Sequence, residues 1–126
     1  MTSKRDPYFV KISATSWGQV NVDRDIYDGD IAPALGFTKT QPPDNAEIRK
    51  FRNQRDALST ARVVRVFAQV TRDFTEGGET VTKSRRVPLL CDLENVGRVA
   101  VSLRGKTVKL GDQNLTWEVQ NVTFGS

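Results

Sequence analysis

The chain has 126 residues and a formal net charge of +4, because 19 lysines and arginines oppose 15 aspartates and glutamates. Its content of 37% hydrophobic and 27% charged residues is typical of a globular domain rather than a disordered chain. The absence of histidine excludes imidazole as a general base, a metal ligand or a pH switch. A single cysteine, Cys91, excludes an internal disulfide and a multi-cysteine zinc site.

The N-terminal residues 1–7 carry charge but are not followed by the apolar stretch of a secretory signal peptide. The apolar runs elsewhere are too short to span a membrane. We therefore expect a cytoplasmic protein, or a component of an assembled particle such as a virion, with no membrane partner. Residues 1–7 are predicted to form an N-terminal arm.

The first half of the chain begins with strand-like alternation and then loses it. Residues 8–14 alternate in polarity, and residues 19–22 are predicted to return as a hairpin after a turn at Trp17 and Gly18. Residues 23–43 contain two glycines and three prolines without a period, which predicts a long loop. Such loops are usually functional or serve as docking arms.

A helix is predicted over residues 44–59. Asp44 has the residue type of an N-cap, and Glu47 stands three positions later, as in a capping box. Ile48, Phe51 and Leu58 would share one arc of this helix.

The second half is strand-like almost throughout. Residues 64–70 alternate between apolar and other side chains, as a strand does. The paired glycines within residues 75–80 favour a hairpin turn, and residues 81–87 are predicted to form the returning strand. Pro88 either ends the returning strand or places it at a sheet edge. Residues 92–97 are predicted to form a turn or a single helical turn.

Three further strands complete this half. Apolar and polar side chains alternate over residues 99–103, 108–110 and 115–124. The last alternation slips by one position at Asn121, which is typical of a β-bulge. The fold class predicted is β-rich α+β, a mainly antiparallel small barrel or sandwich with one short helix. A single domain spans residues 1–126.

The acidic residues 23–30 are the most metal-like feature. A calcium loop starting at Asp23 would need an oxygen ligand at its fifth position, glycine at its sixth and glutamate at its twelfth. The sequence has Tyr27, Asp28 and Ala34 there, so no metal site of this kind is predicted. The alternatives are a looser carboxylate site for calcium or magnesium, a solvated loop, or a loop that pairs with basic residues of a neighbour.

Catalytic patterns are absent from the sequence. Ser-His-Asp and Cys-His arrangements need a histidine, and no glycine-rich phosphate loop is present. Lys83 and Ser84 are adjacent, so a strand directs them to opposite faces. Cys91 lies in an apolar context and is predicted to be a buried hydrophobic residue. We expect no enzyme activity and no cofactor.

Two binding hypotheses follow from the uneven charge, which is acidic over residues 23–30 and basic over residues 49–65. In the first, the chain is a structural or assembly subunit that contacts other protein subunits, by analogy of architecture with phage-like assemblies. Opposite patches suit contacts within a homo- or hetero-oligomer. The residues predicted to make these contacts are Trp17, Asp25, Asp28, Asp30, Arg49, Arg52 and Arg55.

In the second hypothesis, an OB-like domain binds nucleic acid. Its basic side chains follow the phosphates while aromatic residues such as Phe67 or Trp117 stack on bases. The basic residues predicted for this role are Arg62, Arg65, Lys83, Arg85, Arg86, Arg104 and Lys106.

Overall fold

The structure is a computed structural model that describes residues 5–111 and 113–124. Its strands are β1 (Arg5–Lys11), β2 (Ser16–Asp23), β3 (Phe37–Thr38), β4 (Glu47–Lys50), β5 (Val63–Glu76), β6 (Glu79–Asp92), β7 (Thr107–Leu110) and β8 (Leu115–Phe124). Its α-helices are α1 (Arg24–Tyr27), α2 (Ile31–Leu35), α3 (Gln54–Leu58) and α4 (Val96–Leu103), and a 3-10 turn (Leu93–Asn95) precedes α4.

Within these described ranges the strands form two four-stranded sheets, in the orders β3-β1-β2-β4 and β6-β5-β8-β7. All neighbours are antiparallel except β2 and β4, which are parallel. The predicted β-rich α+β class is therefore confirmed. Buried side chains of both sheets and of the helices belong to one hydrophobic cluster.

The first sheet depends on a close approach between β2 and the end of β4. A Cβ atom on Gly18 would overlap the ring of Phe51, so glycine at this point lets the ring pack directly against β2. The predicted turn at Trp17 is wrong, because Trp17 and Gly18 lie within β2, and the hairpin turns earlier, where the Ile12 N–H donates to the Ser16 carbonyl (3.0 Å).

The second sheet is organised by the long hairpin of β5 and β6. Gly77 and Gly78 have φ values of 58° and 83°, as a two-residue type I′ turn requires. The predicted hairpin is thus confirmed, with longer strands. Pro88 lies within β6, which is an edge strand, and this agrees with the second of its two predicted positions.

The predicted bulge in the last strand is also confirmed. Gln69 pairs with Asn121, but Val70 pairs with Val119, so Gln120 is the extra residue. The extra residue restores the direction of the side chains after the slip in the alternation, so both Val119 and Val122 are buried.

The long loop predicted over residues 23–43 is wrong, because this segment contains α1, α2 and β3. Asp23 caps α1 by accepting the Asp25 N–H (2.9 Å), and Gly36 ends α2 with φ 85°. Pro33 stands in the first turn of α2, where a missing N–H breaks no helical hydrogen bond.

The helix predicted over residues 44–59 is wrong in most of its length. Residues 47–50 form β4, which pairs with β2, and only α3 is helical. The N-cap is Asn53, which accepts the Asp56 N–H (2.9 Å), instead of Asp44. The predicted strand over residues 99–103 is α4. Of the predicted N-terminal arm, residues 5–7 belong to β1 and pair with β2, and residues 1–4 lie outside the described part.

Candidate functional site

The acidic residues of the α1–α2 segment make contacts within the chain. Asp28 accepts a hydrogen bond from the Tyr8 hydroxyl, and its Oδ1 lies 2.8 Å from Lys39 Nζ. Lys39 also lies 3.2 Å from Asp6 Oδ2. Asp30 pairs with Lys106 (3.6 Å). Asp28 and Asp30, which were predicted to meet another subunit, are therefore already paired with lysines of their own chain.

The ionisation of this cluster follows from its contacts. Burial, with the hydrogen bond to Asp28, raises the pKa of the Tyr8 hydroxyl above its usual range. Hydrogen bonding from Lys39 lowers the pKa of Asp28, and the same contact raises the pKa of Lys39. At neutral pH Asp28 and Lys39 are charged and Tyr8 is protonated, so these three side chains hold their segments of the chain together.

The residues that the structure describes include no group of three side chains suited to hold a metal ion. Asp25 and Asp28 both line a shallow depression beside β7, together with Lys109. Asp25 is held at the start of α1 by its N–H bond to Asp23. Asp28 already has an ion-pair partner in Lys39, and Lys109 places a second positive charge beside the depression.

The three predicted arginines of the basic segment lie on different elements. Arg49 on β4 and Arg52 after it approach the same carboxylate, that of Asp56, at 3.5 and 4.0 Å. Arg55 lies on α3 and is exposed. Trp17 is half-buried in β2, between Lys11 of β1 and Ile48 of β4.

The basic residues of the nucleic-acid hypothesis are also dispersed. Arg62 pairs with Glu94 (3.1 Å), and Arg65 donates to the Gln54 side chain (3.1 Å). Arg104 is exposed just after α4, and Lys106 binds Asp30 as described above. The structure brings together only the three on β6, which are Lys83, Arg85 and Arg86.

These three residues belong to the hairpin arm, which we define as residues 72–86. In the arm, cations lie over aromatic rings. Lys83 and Arg72 lie 5.2 and 5.6 Å from the Phe74 ring centroid, and Arg85 lies 5.0 Å from that of Trp117. Phe74 contacts Trp117 edge to face, with 5.8 Å between centroids.

On the other face of β6, Arg86 lies 3.8 Å from the Phe67 ring centroid. Trp117 is only 2% exposed, and Phe67, which is half-buried, carries Arg86 over its ring. Trp117 therefore offers no free surface on which a nucleic-acid base could stack, and Arg86 competes for the ring of Phe67. Stacking on a ring does not neutralise the guanidinium groups, so Arg85 and Arg86 keep their positive charge.

The arm also borders a groove of about 470 Å³. The groove lies between the hairpin and the β7–β8 end of the second sheet. Its lining combines apolar side chains with cations and includes Phe74, Lys83, Arg85, Leu110, Leu115 and Trp117.

No protein-family model matches the chain, and neither the curated proteins nor the solved structures include a match. Among the described helices, none combines the length and apolar character needed to cross a bilayer.

Sequence reasoning missed one feature of this surface, the outer edge of β6. Residues 79–86 are exposed except for Val81, which is half-buried, and no described strand pairs with their outer side. The available signal was the run of polar residues at both parities, from Thr82 to Arg86. Such a run indicates a strand that has left the core on both faces.

Proposed function

We propose that this chain is a non-enzymatic subunit of a protein assembly and that it docks through the hairpin arm. The observation that carries the proposal is an open strand edge, bordered by Arg85 and Arg86, for which the described residues offer no acidic partner. Open edges pair readily with other chains, and charges beside them select the partner. A small β-rich subunit of this kind suits a multisubunit complex, such as a phage-like particle.

The covered aromatic rings favour a protein partner over a nucleic acid. Single-stranded nucleic acids bind through stacking platforms in addition to phosphate contacts, and Arg85 and Arg86 occupy the rings that would supply them. The acidic side chains of Glu76 and Glu79 at the tip of the arm also oppose a polyanion.

Nucleic-acid binding is the second candidate. The observation in its favour is the placement of Lys83, Arg85 and Arg86 on one exposed strand. Binding of this kind would use phosphates alone, so its affinity would fall steeply as salt rises.

A matched pair of charge reversals tests the proposal. Lys83→Glu with Arg85→Glu changes the arm, and Lys11→Glu with Lys50→Glu makes the same change in charge at exposed positions of the first sheet. Light scattering and native pull-down from extracts of the source cells, at low and high salt, measure association. We expect the arm variant to lose an association that the wild type and the control variant keep.

Three results would contradict the proposal. One is a wild-type chain that neither self-associates nor retains a protein. Another is an arm variant that associates as well as the control. The third is a monomer that binds single-stranded DNA tightly, with affinity falling steeply with salt, which would favour the second candidate.

A further inference from the structure

The direction of the backbone groups of β6 follows from two residues near its end. Pro88 has no N–H and is tolerated in a sheet only where that group would point away from the neighbouring strand. The Leu90 N–H donates to the Tyr27 hydroxyl oxygen (2.9 Å) instead of to β5. The two residues have the same parity, so the even-numbered residues of β6 direct their N–H and C=O groups outward.

This parity holds along the whole strand, because the β5–β6 register is unbroken from Val63–Asp92 to Glu76–Glu79. The outward groups therefore belong to Thr80, Thr82, Ser84 and Arg86. No backbone hydrogen bond to these groups occurs in the described ranges. The edge is closed at residues 88–90 and open over residues 80–86.

The charges on the open edge indicate which strand fits it. When two copies of β6 pair antiparallel about a two-fold axis at Thr82, Thr80 lies opposite Ser84 and Val81 lies opposite Lys83 of the second copy. Glu79 then lies opposite Arg85 of the second copy. The symmetry repeats each pair, so this register contains two contacts between opposite charges.

These contacts use residues with free charge. Within the described chain neither Glu79 nor Arg85 has an ion-pair partner, whereas Lys83 is paired with Glu76 at 2.9 Å. Directly opposite residues have Cβ atoms about 4.5–5.5 Å apart, which is within the combined reach of a glutamate and an arginine.

Neighbouring registers are less favourable. A two-fold axis at Lys83 places that residue opposite its own copy, and an axis at Ser84 places Lys83 opposite Arg85. Like charges that face each other directly destabilise a pair of strands. An axis at Val81 places Glu79 opposite Lys83, which is already paired with Glu76. It also leaves two outward pairs between strand residues, Thr80 with Thr82 twice, instead of three.

We infer that a second copy of this chain pairs with the β6 edge, antiparallel and centred on Thr82, so that two sheets join into one continuous sheet. The inference rests on the proposed function and specifies its partner. Outward residues then form three hydrogen-bonded pairs, Thr82 with Thr82 and Thr80 with Ser84 twice, and each pair exchanges two hydrogen bonds.

A charge swap tests the register. Glu79→Arg places arginines opposite each other, and Arg85→Glu does the same with glutamates, so either variant weakens the dimer about tenfold or more. An equimolar mixture of the two variants restores unlike pairs, as does the double variant. Sedimentation velocity is expected to show dimers for the wild type, the mixture and the double variant, and monomers for each single variant.

Disulfide cross-linking tests whether the two-fold axis lies at Thr82. Paired residues of the hydrogen-bonded type have Cα atoms about 5.5 Å apart, which suits a disulfide. Thr82→Cys alone is expected to form a covalent dimer on mild oxidation. Thr80→Cys and Ser84→Cys are matched controls, which cross-link only when the two are mixed. The native Cys91 is buried and contributes no background.

The outcomes distinguish the register, the pairing of two copies and the proposed function. Equal cross-linking of all three cysteine variants, or failure of the mixed charge variants to associate, overturns the register. A wild-type chain that stays monomeric at millimolar concentration but retains another protein through Arg85 overturns self-pairing and leaves the proposed function standing. A monomer that retains nothing overturns both.

Discussion

Lys39 Nζ lies 2.8 Å from Asp28 Oδ1, and this ion pair ties the end of α1 to the residue after β3. The same carboxylate accepts the hydroxyl of Tyr8 on β1. Three segments that are separate in the sequence are thereby held together beside the core.

The ion pair between Asp28 and Lys39 predicts an acid-dependent loss of stability. Because the pKa of Asp28 is lower in the folded chain than in the unfolded chain, its stabilising contribution is complete above the ordinary aspartate pKa of about 3.9 and is lost as the pH falls through the folded value. The Asp28 side chain is 51% exposed, so we expect Asp28→Asn to cost about 1 kcal/mol or less at pH 7. Urea unfolding at pH 7 and pH 3 measures the effect, and the variant should differ less from the wild type at pH 3. An equal difference at both pH values would contradict the assignment.

The helical state of residues 96–103 can be tested with two truncations. Leu103 is fully buried, whereas Val101 is 81% exposed, although a strand would place both on one face. Leu103→Ala is expected to lower the free energy of unfolding by about 2–5 kcal/mol, and Val101→Ala to change it by less than about 0.5 kcal/mol. Equal losses in denaturant unfolding would argue for a strand.

A side chain at Gly18 is expected to destabilise the chain. Gly18→Ala forces a methyl group into the Phe51 ring, and such overpacking costs about 1–3 kcal/mol. Phe51→Leu in the same chain should recover part of this loss, which a double-mutant cycle measures. Gly97 is the control, because a Cβ there meets no atom within 4 Å, and Gly97→Ala in α4 should be neutral or stabilising.

The hydrogen bond between Leu90 and Tyr27 predicts a local change in amide exchange. Tyr27→Phe leaves the Leu90 N–H without its partner, and an unsatisfied buried group costs about 1–3 kcal/mol. Hydrogen exchange followed by NMR is expected to speed up at Leu90 more than at Leu89, whose N–H faces β5. Acceleration of both amides by the same factor would indicate global destabilisation only.

Cys91 is expected to be unreactive in the folded chain. Burial raises the pKa of its thiol to about 12, and the thiolate is the reactive form. A thiol-specific reagent at pH 8 should label the wild type only after unfolding, whereas the Thr82→Cys variant should take up one label when folded. Rapid labelling of the native wild type would contradict the burial of Cys91.

The parts of the fold that local pattern specifies could be predicted from the sequence. Alternation along β5 and β6, the Gly77–Gly78 turn and the bulge at the end of β8 each leave a local signal, and each was confirmed. Segments whose state depends on distant partners were not predicted. β4 becomes a strand because β2 pairs with it, and no periodicity in residues 47–50 encodes that contact.

α4 shows how a short pattern is ambiguous. Val99, Val101 and Leu103 alternate as a strand would, yet Val99 and Leu103 are also spaced by one helical turn. Contacts with α2 and β8 stabilise the helix. Val99 and Leu103 are buried in it, whereas Val101 is exposed.

The candidate site was only partly accessible to sequence reasoning. The excess of cations on β6 was visible, but the partners of Asp28 and Asp30 lie 11 and 76 positions away, at Lys39 and Lys106. Which charges remain available to a partner therefore depends on the tertiary structure. The open edge itself exists only because the sheet order places β6 outside β5.

Pro88 has a consequence for the size of the assembly. It lacks the N–H that an added strand would need, so pairing along β6 cannot extend from the arm toward the core. The opposite edge of the same sheet is β7, which has only four residues. A two-fold contact that uses the long edge thus leaves no equivalent edge for a third chain, and growth stops at a closed pair instead of continuing into a fibre.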